Sequence, residues 1–124
     1  MPSPSRPRPT RTPFSPPAPK YILHILLHVA VPALIAWLFY RPQWRRPALK
    51  MVAGFALDLD HLLATPMFDP NRCSINFHPL HTYWAIGIYA LLLWPARTRV
   101  WAIGFLVHMV LDYLECLPLG VYLP

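Results

Sequence analysis

All six histidines of this 124-residue chain fall on four apolar stretches, and together with Asp58 and Asp112 they fall there in four pairs. His24 and His28 share the first stretch and Asp58 and His61 the second, while His78 and His81 open the third and His108 and Asp112 lie on the fourth. Spacings of three or four residues put both members of a pair on one helix face. Ionisable groups in an apolar, membrane-crossing segment are costly and therefore mark a site. Neutral imidazole and carboxylate suit zinc, manganese or iron, and pairs of such donors on helix faces build the metal sites of helical bundles. Nine residues are candidate ligands: His24, His28, Asp58, Asp60, His61, His78, His81, His108 and Asp112. One tetrahedral ion takes four ligands, so the set suffices for one or two divalent ions, zinc first among them, with the remaining groups in support. Asp60 is the odd member, about 200° round an α-helix from Asp58. It either orients a histidine from behind, serves a second ion, or sits where the helix is distorted.

The chemistry this predicts is hydrolysis of an ester or phosphoester. A bound divalent ion lowers the pKa of its water to about 7 and polarises the scissile group, and two ions hold both the attacking and the leaving oxygen. The expected nucleophile is the metal-bound water. Arg72 is the candidate for a substrate phosphate or, equally, for a lipid headgroup. Glu115, one turn past Asp112, reads as a general base or as an interfacial carboxylate. Two other function classes fit the same residues: a di-iron membrane oxidoreductase, and a non-enzymatic protein that handles metal or protons or serves a structural role. A transporter of this size would need to oligomerise. A hydrogen-bonded polar core without metal is the remaining alternative.

The elements that must position these groups follow from composition. The chain is 56% hydrophobic and 13% charged, against roughly 25% charged in a soluble domain, and a soluble fold this small would struggle to bury so much apolar surface. Residues 1–20 hold eight prolines among Ser, Thr and Arg and predict a disordered tail. Residues 21–124 predict one domain, an all-α integral-membrane antiparallel four-helix bundle with helices over about 21–40, 48–65, 79–95 and 100–117. The first carries no formal charge and is too long for a signal-peptide core. Pro66, Pro95, and Pro118 with Gly120, close the later three, and Asp69-Pro70-Asn71 reads as a turn.

Basic turns at Arg41–Arg46 and Arg97–Arg99 favour the cytoplasmic side, which would put both termini and the 66–77 loop outside. The basic tail opposes that orientation. At about 1.5 Å per residue, all four pairs fall in one layer near the face that carries the 66–77 loop. Trp37, Tyr40, Trp44, Trp94 and Trp101 gather at the opposite end as an interfacial belt, with Tyr83 and Trp84 near the loop face.

The formal net charge of +6 would ordinarily raise nucleic acid as a partner. The arginines lie in the tail and the turns, no basic helix face or binding module is present, and no nucleic-acid partner is expected. Cys73 and Cys116 are too few for a disulfide framework and form no C-x-x-C motif. They read as a loop thiol and a buried thiol, with a disulfide left open because both fall near one face.

The run Asp58-Leu-Asp-His-Leu-Leu-Ala-Thr-Pro66, the run Phe68-Asp-Pro-Asn-Arg-Cys-Ser-Ile-Asn-Phe-His-Pro-Leu-His81, and the His24, His28, His108 and Asp112 positions resemble a family of small bacterial membrane proteins of unknown function. The resemblance covers nearly everything after the tail and brings no activity with it. More loosely, the pattern is similar to larger bacterial inner-membrane proteins described as metal-dependent hydrolases. That likeness implies metal-site roles for Asp58, Asp60, His78, His81, His108 and Asp112, a multi-pass place in the bacterial inner membrane, and a lipid-like substrate. The His78-Pro-Leu-His81 spacing departs from theirs, which bears on the substrate more than on the metal.

Overall fold

The computed structural model describes residues 19–67, 69 and 72–117. The expected disordered tail (save Pro19 and Lys20), Pro70 and Asn71 of the expected turn, and the Pro118–Gly120 stop lie outside them. The regular elements among the described residues are all helices, without a strand: α1 spans Pro19–Phe39, α2 Arg45–Val52, α3 Tyr83–Leu91 and α4 Arg99–Cys116. Between α2 and α3 lie a 3-10 segment, Ala53–Leu63, and a short 3-10 turn, Pro79–His81. Helix α4 is central and packs against α1, α2, α3 and the longer 3-10 segment.

Helices α1 and α4 begin and end within two residues of expectation, and Pro19 and Lys20, assigned to the tail, belong to α1. The two middle helices differ. The expected 48–65 helix starts earlier, at Arg45, and changes to 3-10 geometry at Ala53. The expected 79–95 helix is a 3-10 turn followed by nine α-helical residues. Thr82 separates the two, in extended conformation, and its side chain caps α3 by accepting from the Ala85 N–H. Nine residues rise about 14 Å, half of the ~30 Å hydrocarbon core. Helix α4 carries Arg99, His108, Asp112 and Glu115, which dilute its apolar character. Among the described residues, therefore, one helix is long and apolar enough to cross a membrane, over Tyr21–Phe39 with mean hydropathy 2.2. The four-span expectation reduces to a four-helix fold with one candidate span.

Two apolar clusters hold the fold. Ala36, Ala48 and Met51 pack where α1, α2 and α4 meet. Small residues bring the backbones together there. A Cβ on Gly54 would lie 3.1 Å from the Gly104 carbonyl oxygen, and one on Gly104 would lie 2.5 Å from Met51 Cα. The second cluster joins Leu57, Ile75, Tyr89, Met109, Cys73 and Cys116, and the Tyr89 hydroxyl donates to the Leu80 carbonyl at 3.0 Å.

Cys73 and Cys116 are joined in a disulfide, so the open alternative holds and the two-thiol expectation is corrected. The bridge ties the loop ahead of His78 to the end of α4. Chain-entropy reasoning for a 43-residue separation gives a contribution of about 4 kcal/mol. Cys73→Ser/Cys116→Ser should lose roughly that much in equilibrium unfolding in detergent micelles; an unchanged midpoint would remove the bridge from the stability account.

Candidate metal centre

Burial along Met51–Leu62 repeats every three residues. Met51, Gly54, Leu57 and Asp60 are buried, whereas Ala56, Leu59 and Leu62 are exposed. Three residues per turn is the 3-10 period, in which residues i and i+3 eclipse. Asp58 and His61 therefore share one face one turn apart, while Asp60 turns inward on the next. The helix is thus 3-10 rather than α where Asp60 sits, which leaves Asp60 about 240° round from Asp58 and does not bring the two onto one face.

Four donor atoms meet at the centre of the fold: Asp58 Oδ1, His81 Nε2, His108 Nε2 and Asp112 Oδ2, all within 4.8 Å of one another. Five of their separations run from 3.0 to 3.7 Å. Zinc bonds of about 2.0–2.2 Å to nitrogen and oxygen imply tetrahedral edges of about 3.3–3.6 Å. Asp112 Oδ2 is 3.0 Å from His81 Nε2, yet it is buried without a hydrogen bond of acceptable direction. Atoms that are close but do not point at one another are what ligands around a common centre display. The donor set fits a divalent ion.

The surrounding groups set the ring tautomers. Asp60 Oδ2 accepts from His81 Nδ1 at 3.0 Å and from the Leu80 N–H at 2.9 Å. With the Nδ1 proton engaged, a neutral His81 turns its Nε2 lone pair toward the centre, the arrangement by which outer carboxylates orient ligating histidines. Asp60→Asn should keep the fold and weaken metal binding about 10–100-fold, read by competition with a chromophoric chelator; unchanged affinity would deny Asp60 this role.

His24 and His28 approach the other oxygen of Asp112. Their Nε2 atoms lie 3.2 and 3.3 Å from Oδ1. His28 Nδ1 donates to the His24 carbonyl at 2.9 Å, and His24 Nδ1 lies 3.0 Å from Glu115 Oε2. Glu115 thus faces the back of His24, the position of an orienting carboxylate.

His61 and His78 form an adjoining layer. Their rings stack with centroids 3.9 Å apart, and His61 Nε2 meets Ser74 Oγ at 3.2 Å. With Asp60 they make a third group of close donors, but near-parallel rings run their in-plane lone pairs side by side, which suits support better than chelation. Burial first, and the neighbouring His61 second, push the His78 imidazole down to about 4, so it is neutral at physiological pH. Ser74 was not singled out from the sequence, and nothing local there signals it.

A cavity of about 510 Å³ opens onto the centre. Its floor includes His24, Asp58 and Asp112, and its walls include Leu23, Leu27, Leu111 and Leu114. Arg72 lines it too, but its Nη2 donates to the carbonyls of Pro66 and Met67 at 2.8 and 3.1 Å, and its guanidinium lies over the Phe77 ring. Those contacts organise the loop and draw on the donors expected to meet a phosphate.

The sequence model of one family, described as a family of unknown function, matches residues 19–119. The chain belongs to the DUF6122 family. The match begins with α1 and passes the end of α4, so it takes in all nine candidate ligands together with Arg72 and Glu115. No curated protein and no solved structure matches the chain.

Proposed function

We propose that this DUF6122 protein is a membrane-seated, metal-dependent hydrolase acting on a lipid-like ester or phosphoester. The observation that carries the reading is the convergence of Asp58, His81, His108 and Asp112, whose donor atoms lie within 4.8 Å of one another with five separations of 3.0–3.7 Å, beneath an apolar-walled cavity. A zinc, manganese or iron ion there would serve as the Lewis acid that polarises the scissile group, and would acidify a water only by taking a fifth ligand beyond its four protein donors. The protein's own groups do the rest. Asp60 and Glu115 hold imidazoles in register, and the leucine walls exclude water and accommodate an acyl chain.

The surface supports a membrane seat. Leu23, Ile25 and Leu26 on α1, Trp84 and Leu91 on α3, and Val110 and Leu114 on α4 are all exposed, and exposed apolar area of this extent seeks lipid or a partner. The Cys73–Cys116 disulfide supports an oxidising compartment for the loop side of the fold, because such bonds persist in oxidising surroundings.

The test is protein purified in detergent without chelator. Bound transition metal should be present, and hydrolysis of chromogenic phosphodiesters and acyl esters should fall on chelation and return with zinc or manganese. A folded, stable preparation that holds no metal and takes up none on titration would leave a hydrogen-bonded polar core in place of the proposed centre.

A further inference from the structure

The carboxylate of Asp112 faces two ways. Oδ2 joins His81 and His108, at 3.0 and 3.4 Å from their Nε2 atoms; Oδ1 meets His24 and His28, at 3.2 and 3.3 Å. A carboxylate that presents one oxygen to each of two donor sets is a bridge. We propose that His24, His28 and Asp112 Oδ1 hold a second divalent ion, bridged to the first through Asp112, and that this second position carries the open coordination site facing the cavity.

Three observations support it. First, both imidazoles have their rear nitrogens engaged, His28 Nδ1 by the His24 carbonyl at 2.9 Å and His24 Nδ1 by Glu115 at 3.0 Å. In the neutral form each then offers an Nε2 lone pair to the same point, as ligating histidines do. Second, His28 is 3% exposed, and its Nε2 is buried without a hydrogen bond of acceptable direction although Asp112 is near. A buried polar atom in that state destabilises the fold, and a ligand bond removes the penalty. Third, the two positions differ in number of donors. The Asp58 set has four protein ligands and the His24 set has three. Four protein ligands close a tetrahedral ion, whereas three leave a place for water or substrate. His24 lines the cavity with 23% of its side chain exposed, so that place has access. Ions bridged in this way sit about 3.5–4 Å apart and can clamp both oxygens of a displacement.

The inference rests on the proposed metal centre, and the experiment separates the two. Manganese or zinc is titrated into the full chain in detergent and counted by calorimetry and elemental analysis. Two ions per chain are expected for wild type and one for His28→Ala. Manganese-loaded wild type should give the spin-coupled resonance of a paired centre, a readout that holds even if His28→Ala does not fold. Azide added to the cobalt form should shift the visible bands of wild type and leave those of His28→Ala unchanged. A single ion in wild type, with an uncoupled six-line manganese signal, overturns the second position and leaves the first. An azide shift preserved in His28→Ala moves the open site to the first ion and overturns that part of the inference. No ion at all overturns both readings.

Discussion

Asp112→Ala should leave the protein unable to hold metal at either position, a larger loss than any other single replacement in the centre would produce. Each oxygen of this carboxylate contacts two imidazoles, at 3.0–3.4 Å. Loss of an outer partner weakens metal sites about 10–100-fold, and loss of a direct ligand shared by two positions should exceed that at both. His81→Ala is the contrast, because it removes a donor from the four-ligand set alone. Elemental analysis of the three proteins, purified side by side without chelator, reads the difference. Metal retained by Asp112→Ala at the wild-type level would show that the two donor sets do not meet at this residue.

Gly104→Ala should destabilise the fold by about 3 kcal/mol or more, at or beyond the upper end of overpacking costs. The added Cβ would sit 2.5 Å from both Met51 Cα and the Met51 carbonyl oxygen. Those are backbone atoms and cannot rotate away, so α2 and α4 must separate. Helix α2 runs directly into the segment that carries Asp58 and Asp60, and metal affinity should fall along with stability. Gly87 is the control. A Cβ there meets nothing within 4 Å, and Gly87→Ala in mid-helix should be neutral or stabilising by up to about 1 kcal/mol. Thermal or denaturant unfolding in one detergent ranks the two. Equal stability would mean that the α2–α4 crossing yields at little cost.

The terminal helices were legible because a long apolar run with few breakers admits little else, and α1 and α4 fall within two residues of expectation. The middle of the chain was less so. The α-helix and the 3-10 helix differ by one residue in hydrogen-bond span, and local propensity hardly separates them. One cue was present in the spacing of Gly54, Leu57 and Asp60, which recurs every three residues. The break before α3 also had a local signal, since Thr82 is a strong cap three residues ahead of Ala85. The expectation of a membrane-length third helix took Pro79 and Pro95 as its ends and passed over that cap.

Residue types and pair spacings by themselves put His24 with His28, Asp58 with His61, and His108 with Asp112 on shared helix faces, because helix periodicity is a local property. The fourth pair differs, since His78 is extended and stands outside the 3-10 turn that holds His81. Which oxygen of Asp112 serves which histidines, that Asp60 stands behind His81, that Glu115 backs His24, that Arg72 spends donors on loop carbonyls, and that Cys73 reaches Cys116 were decided only by the tertiary structure. Each depends on how α4 crosses α1 and the 3-10 segment and on where Arg72 and Cys73 lie, distances between residues far apart in sequence that local pattern does not encode.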